Sequence, residues 1–418
     1  MPQTTDLGAR ARHLFDAAVE AADPAQALVR SLTARPPRAA TGRTFVIAVG
    51  KAAPRMLAAA LDRLGGGPVT ALAVTHHEND QEVPGARVLR AGHPVPDEAG
   101  AAAAVEVLAL LDEAGPEDRV IALISGGGSA LLPAPVPPLT LEDKKAVNAA
   151  LLAGGLDIVR MNLVRQQLSQ LKGGGFLRRA APAPVTAYIL SDVIGDDLRA
   201  VASGPTVGPI GTAEDARRTL VEAGLWDDLP EAARRRLEDA PPPEPTPQAQ
   251  NVLIGSNRVS LEAMEAAAAE AGFAARIVDD ALVGDVGAAA EKIVAAFERP
   301  HMPTALLFGG ETTVHLRGNG LGGRNQELAL RVALSAPDPG CDWAFLSGGT
   351  DGRDGPTDAA GGIVDAGTAG RIAKAGGNAA ALLGNNDSYR ALELAGDLLQ
   401  VPATGTNVAD VQALLLAP

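Results

Sequence analysis

The sequence is poor in cysteine, aromatic residues and basic charge, and each shortage excludes a class of protein. Cys341 is the single cysteine of the 418 residues, so an intrachain disulfide and the cysteine-rich zinc modules are excluded. Aromatic residues make up only 3% of the chain, and the formal net charge is −14. A nucleic-acid partner is therefore not expected, because its phosphates need a basic face and its bases need stacking platforms.

Long apolar runs are also absent. No uncharged apolar stretch approaches the roughly 20 residues that are needed to span a bilayer. Charged residues interrupt the apolar ones over residues 1–20, which predicts an amphipathic helix rather than a signal peptide. We therefore expect a soluble protein of a reducing compartment, most simply the cytoplasm, with no membrane partner.

Glycine is abundant, with 47 residues, and it gathers between short apolar runs and helical patterns. Continuous apolar runs are typical of strands covered on both faces, and their alternation with helices predicts an α/β fold with mainly parallel sheets. The predicted strands are 44–49, 69–75, 119–125, 185–191, 251–254, 304–308, 312–316 and 342–347. The predicted helices are 25–31, 99–114, 144–152, 158–171, 259–271, 285–298 and 326–333. Thr140-x-x-Asp143 resembles a capping box before the helix 144–152.

A proline-rich stretch divides the chain. The sequence APPPEPTPQAQ at 240–250 can neither continue a helix nor pair in a sheet, which predicts a stiff, extended linker. We therefore predict a first domain over 1–240, a linker over 241–250 and a second domain over 251–418.

Glycine clusters follow six of the predicted strands, at the sheet edge where α/β proteins bind their ligands. Main-chain N–H groups of such turns can hold anions, so phosphate handling is the better interpretation of six clusters together. The pattern lacks a Walker A motif, because Ala52 follows Gly50-Lys51 where Ser or Thr is needed. The clusters lie at Gly50-Lys51, Ser125–Ser129, Ser191–Asp197, Gly255–Asn257, Gly309–Thr313 and Ser347–Gly352.

Charged residues beside these glycines are the candidates for chemistry. Lys51 can meet a phosphate as a point charge, and Arg324 at a predicted helix start is best explained by an anionic ligand. Lys172, before three glycines, is more simply a lysine that caps a helix C-terminus. Asp354 and Asp358 fit turn formers or helix N-caps better than metal ligands.

One stretch of the sequence is compatible with a dinucleotide-binding site. A Gly-x-Gly-x-x-Gly pattern lies at Gly318–Gly323, between a predicted strand and a predicted helix. The acidic residue expected about 20 residues later would be Asp342, which begins a strand instead of ending one.

Seven collinear motifs resemble those of the type II glycerate 2-kinases. They are VGKAAPRM at 49–56, SGGGSALL at 125–132, SDVIGDD…ASGPT at 191–206, GGETTV at 309–314, GGRNQE at 322–327, SGGTDGRDGPTDAAG at 347–361 and GTNVADV at 405–411. The resemblance implies a Rossmann-like N-terminal domain and a C-terminal α/β domain of the MOFRL type, with the active site in the interdomain cleft. It also implies that ATP and Mg²⁺ are used to phosphorylate D-glycerate at the 2-hydroxyl, giving 2-phosphoglycerate and ADP.

Site residues carry over from the resemblance by position. The charged cleft residues of the family fall on Lys51, Asp192, Arg324 and Asp351. We predict that Lys51 and Arg324 stabilise the transferring phosphoryl group and that Asp192 orients or deprotonates the glycerate hydroxyl. Asp192 and Asp351 are the predicted metal ligands. Substrate or phosphate contacts are predicted for Ser125, Gly126, Gly127, Gly128, Ser129, Asn257, Glu311, Gly348, Gly349 and Asn407.

The sequence departs from the family at Gln166 and Gln167, where relatives commonly have Lys-His, so an altered substrate pocket stays open. Two rival functions are an NAD(P)H-dependent hydroxypyruvate reductase and a non-catalytic sensor of nucleotides or sugar phosphates. The sequence leaves open which glycine turn binds which anion, the nucleotide preference and whether the chain forms a homodimer.

Overall fold

The computed structural model describes residues 4–65 and 67–418, with the side chains of residues 4–6 left aside. The chain divides into two compact units. The N-terminal unit comprises Pro24–Ser191 and Asp196–Ile254, and the C-terminal unit comprises the segment up to Asp23 together with Asp192–Gly195 and Gly255–Pro418.

The described strands are β1 Thr44–Val49, β2 Val69–His76, β3 Arg87–Ala91, β4 Arg119–Ile124, β5 Val185–Leu190, β6 Gln250–Gly255, β7 Ala274–Asp279, β8 Gly284–Asp285, β9 Thr304–Gly310, β10 Thr312–Thr313, β11 Asp342–Gly349, β12 Gly361–Asp365, β13 Leu398–Leu399 and β14 Asp410–Ala417.

The described helices are α1 Thr4–Ala21, α2 Pro24–Ala34, α3 Ala53–Leu61, α4 Glu98–Asp112, α5 Gly128–Leu131, α6 Leu141–Ala153, α7 Ile158–Gln167, α8 Gly175–Ala180, α9 Ala213–Glu222, α10 Glu231–Glu238, α11 Asn257–Glu270, α12 Val286–Val294, α13 Arg324–Ser335, α14 Thr368–Lys374, α15 Ala379–Gly384 and α16 Ser388–Ala395. One turn of 3₁₀-helix covers Val201–Ser203.

The N-terminal unit is built on a six-stranded sheet in the order β3-β2-β1-β4-β5-β6. The β2–β3, β1–β2, β1–β4 and β4–β5 pairs are parallel, and every residue of β1 and β5 is buried. This strand order is that of doubly wound nucleotide-binding sheets. The α/β prediction is confirmed here, because continuous apolar strands need helices on both faces to cover them.

The C-terminal unit also has a six-stranded sheet, in the order β13-β12-β11-β14-β9-β7. Only the β7–β9 pair is parallel among its described pairings; β11–β12, β11–β14, β12–β13 and β9–β14 are antiparallel. The prediction of mainly parallel sheets is wrong for this unit. The sequence does not predict β12, β13 or β14, and each antiparallel pair of this sheet includes one of them. Of the three, β14 lies between β11 and β9, near the middle of the sheet.

The predicted N-terminal amphipathic helix is confirmed from Thr4 onward, and residues 1–3 of that prediction lie outside the described residues. Helix α1 packs its apolar stripe, Leu7, Ala11, Leu14, Phe15 and Ala18, into a core with strands β9, β11 and β14 and helix α11. The helix therefore belongs to the C-terminal unit, whereas the sequence placed it with residues 1–240. The other face of the same sheet is covered by α12 and α13.

Local signals in the sequence set several element boundaries. Thr140 and Asp143 form the predicted capping box at the start of α6, and residues 240–249 have neither helix nor strand. No helix in the described part of the chain is long and apolar enough to cross a membrane.

Candidate active site

A tight turn connects the first strand of the N-terminal unit to its first glycine-rich loop. Gly50 has φ +128°, and a Cβ at this position would overlap Ser125 Oγ. The hydroxyl of Ser125 accepts the N–H of Ala52 at 3.2 Å, and Lys51 N–H donates to Gly126 O at 2.9 Å. Ser125 is 1% exposed and its hydroxyl joins the two turns, while its contact with substrate stays a prediction.

Lys51 lies against the glycine turn. A Cβ on Gly127, where φ is +86°, would lie 3.3 Å from Lys51 Cγ and 3.2 Å from His93 Cδ2. Lys51 itself is exposed, and its ammonium group makes no ion pair with a described residue. Burial first, and then the charge of Lys51, lower the pKa of His93 below its ordinary value. The ammonium group of Lys51, beside the neutral imidazole of His93, is therefore open to an anionic ligand.

The other end of the turn is held from inside the unit. Lys172 Nζ donates to Ser129 Oγ at 2.8 Å and to Ser129 O at 3.2 Å, and Ser129 Oγ lies 2.5 Å from Ser203 Oγ. Lys172 is only 3% exposed. The prediction of Lys172 as a helix-capping lysine is wrong, because α7 ends at Gln167 and the ammonium group turns into the protein interior.

Gln166 and Gln167 both bind main chain. Gln166 Nε2 donates to Arg199 O and Ser203 O, and its Oε1 accepts the N–H of Ile210. Gln167 Nε2 donates to Gly211 O at 2.8 Å. Where the family resemblance leads one to expect Lys-His, this chain therefore has two amides that tie α7 to the segment before α9.

Arg324 is the first residue of α13 and is held by two carboxylates. Its Nε and Nη2 donate to the two oxygens of Asp410 at 2.6 and 3.0 Å, and its Nη1 lies 3.1 Å from Glu311 Oε1. Asp410 is 1% exposed. Although burial lowers the pKa of Arg324, the bonds and charge of Asp410 raise it above the ordinary value. The carboxylates of Asp410 and Glu311 therefore explain a cation at this helix N-terminus before any ligand is considered.

Asp354 caps α13 from a distant part of the chain. Its carboxylate accepts the N–H of Gln326 at 2.8 Å and that of Asn325 at 3.1 Å. Burial raises the pKa of Asp354 to about 7, against these two hydrogen bonds, which lower it. The interpretation of Asp354 as a helix cap is confirmed. Since the carboxylate occupies the helix N-terminus after Gly318–Gly323, a dinucleotide pyrophosphate would have to displace it.

A cavity of about 620 Å³ opens in front of Arg324 within the C-terminal unit. It lies within the usual range for small-molecule sites, roughly 300–1,000 Å³. Its walls combine the carboxylates of Glu311, Glu327 and Asp354 with apolar side chains, namely Ile194, Val283, Val314 and Leu316.

The two predicted metal ligands are both partly exposed. Asp351 follows β11, accepts the N–H of Arg353 at 2.9 Å and makes no ion pair within the described residues. Asp192 belongs to the C-terminal unit through the short segment Asp192–Gly195. Among described residues, no three His, Cys, Asp or Glu side chains gather as a metal-binding group. Mg²⁺ needs only one or two carboxylates when phosphates and waters supply its other ligands, and Asp351 fits that role.

The remaining predicted contacts are largely engaged in the fold. Asn257 Nδ2 donates to Val408 O and Asp410 O at 2.9 and 2.8 Å, while Asn407 Oδ1 accepts the N–H of Ala409. Gly349 N–H donates to Ala360 O at 2.8 Å, so this amide is not open to a ligand here. A Cβ on Gly348 would crowd Phe15 and Leu399, which makes this glycine a packing position.

The sequence does not reveal the roles of two buried residues of the site. Asp410 lies in the GTNVADV motif, but its partner Arg324 is 86 residues away and no local pattern connects them. Lys172 faces inward, against the expectation of a helix cap. The scarcity of lysine in the chain, together with the adjacent glycines, was the available signal for it.

Family models match both halves of the chain. Residues 10–238 match the domain of unknown function DUF4147, and residues 304–410 match the MOFRL family.

Individual relatives match nearly the whole length. The D-glycerate 2-kinase of Thermotoga maritima is 40% identical over 94% of this chain and 94% of its own. A protein of Agrobacterium vitis whose name proposes a hydroxypyruvate reductase is 40% identical over 98% of this chain and 95% of its own. The crystal structure of a glycerate kinase from Thermotoga maritima matches with a TM-score of 0.91 at 38% identity, covering 99% of this chain and 100% of that one.

Proposed function

This chain, with its DUF4147 and MOFRL matches, belongs to the glycerate kinase family, and we propose that it is a D-glycerate 2-kinase. The reaction transfers the terminal phosphoryl group of ATP to the 2-hydroxyl of D-glycerate and gives 2-phosphoglycerate and ADP. The observation that carries the proposal is Lys51, an exposed ammonium group without an ion pair among the described residues, lying against the glycine turn at Gly127.

Phosphoryl transfer depends mostly on positioning and on neutralising charge, since its transition state is loose. Lys51 stabilises the oxygens of the transferring group, and Arg324, fixed in direction by Asp410, is the second cation that we propose for this charge. A preformed cation of this kind has nothing to reorganise when the charge develops.

Asp192 acts on the acceptor hydroxyl. The hydroxyl oxygen of glycerate forms the new bond to phosphorus as the bond to the bridging oxygen of the nucleotide breaks. Its proton goes to the Asp192 carboxylate, and the ADP oxygen takes the electron pair of the broken bond. Asp351 and Asp192 would hold Mg²⁺, which would supply positive charge to the phosphate oxygens.

The C-terminal unit contains a cavity large enough for the nucleotide. The cavity of about 620 Å³ in front of Arg324 offers apolar walls for a base and sugar, with Arg324 at its polar end. We propose this cavity for the nucleotide and the Gly126–Ser129 turn of the N-terminal unit for the acidic substrate. The cytoplasm is the proposed location of the enzyme.

One paired assay tests the function. Purified protein with D-glycerate, Mg²⁺ and ATP should form ADP and 2-phosphoglycerate, and product analysis distinguishes the 2- from the 3-phosphate. NADH with hydroxypyruvate should not be consumed, because Asp354 already occupies the N-terminus of α13 where a pyrophosphate would bind. NADH oxidation without ADP formation would favour the reductase, and ligand-induced stabilisation without any turnover would favour the sensor.

A further inference from the structure

Three cations gather inside the N-terminal unit beside the glycine turn. Lys144 lies on α6, Arg165 on α7 and Lys172 in the segment after α7. Burial first, and then the charges of Lys144 and Arg165, lower the pKa of Lys172 well below its ordinary value. None of the three forms an ion pair with a described residue. The group is a cluster of like charges, which we call the cationic cluster.

The contacts of the cationic cluster within the described residues are all with neutral groups. Arg165 Nε donates to Asn148 Oδ1 at 2.7 Å and its Nη1 to Asn162 Oδ1 at 3.5 Å. Asn162 Oδ1 also accepts the hydroxyl of Ser203 at 2.9 Å, and Lys172 Nζ donates to that Ser203 Oγ at 3.4 Å. A continuous network therefore runs from Arg165 to Lys172 without a carboxylate.

Lys144 stands apart from this network. Its ammonium group makes no hydrogen bond with a described residue, and burial together with Arg165 lowers its pKa to about 8. Burying a cation without a counter-charge costs several kcal/mol, and of the three only Lys172 is fully buried. A protein whose formal charge is −14 has acids to spare, yet the described structure brings none of them to the cationic cluster. Such a group is stabilised when an anion enters from outside.

The glycine turn provides further donors beside the same cations. Within the described residues, the main-chain N–H groups of Gly126, Gly127, Gly128 and Ser129 donate to no other main-chain group. Ser129 and Lys144 are partly exposed, so solvent reaches the cationic cluster at these two residues.

We propose that the cationic cluster, with the Gly126–Ser129 turn, binds a small oxyanion, and that this oxyanion is the carboxylate of the three-carbon hydroxy acid. The identity of the acid as glycerate rests on the proposed function. Lys51 contacts the turn at Gly127 and Lys172 contacts it at Ser129, two residues further on. The carboxylate and the 2-hydroxyl of glycerate are on adjacent carbons. A carboxylate on the cationic cluster therefore leaves the hydroxyl on the side of the exposed Lys51.

Calorimetric binding of D-glycerate in the absence of nucleotide tests this site without turnover. Lys144→Met and Arg165→Gln should each raise the Kd for D-glycerate about tenfold or more, since a charged hydrogen-bonding partner is lost. Lys145→Met is the matched control, because that neighbouring ammonium pairs with Glu142 at the surface. Its Kd should stay within about twofold of the unsubstituted protein. Glycerol, which lacks the carboxylate, should not compete.

Inorganic phosphate serves as the second probe, since a phosphate would satisfy the same donors. Displacement of D-glycerate by phosphate, weakened by the same two substitutions, agrees with an oxyanion site. Phosphate binding that depends on the cationic cluster, alongside D-glycerate binding that does not, would overturn the assignment to the carboxylate.

Steady-state kinetics provide a readout that a merely structural role would not move. The KM for D-glycerate should rise about tenfold or more in Lys144→Met and Arg165→Gln, and the KM for ATP should stay within about threefold. A rise confined to ATP, or no change of either constant with unchanged glycerate affinity, contradicts the proposal. Fluorescence of Trp226, the one tryptophan of the N-terminal unit, checks that each variant is folded.

The outcome for the cationic cluster is separable from the outcome for the proposed function. Normal phosphorylation of glycerate by the unsubstituted protein, with variants that bind glycerate unchanged, sinks the inference and leaves the function intact. The converse result is a protein that binds small carboxylates through Lys144 and Arg165 but does not phosphorylate glycerate. That result would support the oxyanion site and contradict the proposed function.

Discussion

The two units treat the cations of the candidate site in opposite ways. In the N-terminal unit Lys51, Lys144, Arg165 and Lys172 have neutral partners or no partner among the described residues, whereas in the C-terminal unit Arg324 is held between Asp410 and Glu311. Unpaired cations attract an anion, and they lower the stability of the fold until an anion binds. A paired cation keeps its direction whether or not a ligand is bound.

This difference also suits an acidic protein. A formal charge of −14 repels phosphorylated and carboxylate ligands at long range, so a binding site for them needs a local positive region. The N-terminal unit provides that region by keeping acids away from four cations. The C-terminal unit holds one guanidinium, that of Arg324, in a fixed direction. This requires burial of the Asp410 carboxylate, which is 1% exposed.

The strongest contrast concerns Arg324 and Lys51. We expect Arg324→Ala and Lys51→Ala each to lower kcat/KM for D-glycerate about a hundredfold or more, as loss of a charge contact in the transition state does. Only Arg324→Ala should also lower the free energy of unfolding, by about 3–5 kcal/mol, because it leaves Asp410 buried without its partner. Lys51→Ala should leave stability unchanged.

Single-tryptophan proteins measure the units separately in this experiment. Trp226 lies in the N-terminal unit and Trp343 in the core of the C-terminal unit, so Trp→Phe at either site leaves one reporter. Arg258→Ala is the control for Arg324, since among the described residues Arg258 forms ion pairs with the exposed Glu262 and Asp280 and with no other acid. Equal stability losses in the Lys51 and Arg324 variants would remove the contrast.

The titration of Asp354 should make the C-terminal unit less stable as the pH rises. Its pKa is about 7 in the folded chain against an ordinary 3.8, so the folded state holds the proton more strongly. The stability that this proton provides is complete below about pH 4 and is lost up to about pH 7, by as much as roughly 4 kcal/mol. Urea unfolding followed by Trp343 should show this slope, and Asp354→Asn should remove it. A slope that persists in Asp354→Asn belongs to another group.

Lys144 should give the N-terminal unit the opposite slope at higher pH. Its pKa is about 8 when folded against an ordinary 10.5, so the unfolded chain binds the proton more strongly. The unit should gain up to about 3 kcal/mol between pH 8 and 10.5. Lys144→Met should reduce this rise when Trp226 reports the unfolding, and the part that remains belongs to Lys172, whose pKa is also lowered. Saturating D-glycerate should reduce the rise as well, because a bound anion favours the ammonium form. A rise that D-glycerate leaves unchanged would disagree with an anion site at Lys144.

The smallest effect concerns the way helices begin. Thr140 caps α6 within its own turn, so Thr140→Ala should cost about 1 kcal/mol in the N-terminal unit. Glu142→Ala, at an exposed position two residues further along the chain, serves as the control. A cost near 3 kcal/mol would mean that this local cap does more than satisfy one N–H group.

The sequence predicted best where the signal was local. The strand 44–49 was predicted to the residue, and the capping box at Thr140 and Asp143 was confirmed. The antiparallel C-terminal sheet was not predicted, because strand direction depends on where β14 enters the sheet and not on its apolar composition.

The site followed the same rule. Lys51 and Arg324 were singled out by their glycine neighbours, and their roles stay proposals. The partner of Arg324 and the inward direction of Lys172 depend on contacts 86 and 43 residues away. Neither spacing leaves a periodic trace, so only the folded chain brings these groups together.

Helix α1 sets an order of events during synthesis. Its apolar stripe packs against β11 and β14, and β14 is the last of the described strands. Helix α1 is therefore made long before β14, and its apolar side stays uncovered until β14 has been made, whereas the N-terminal unit, which lies between them in the chain, can fold earlier. We expect nascent chains released before Asp410 to keep α1 open to protease although residues 24–254 resist it, and a C-terminal truncation to damage the start of the protein as much as its end.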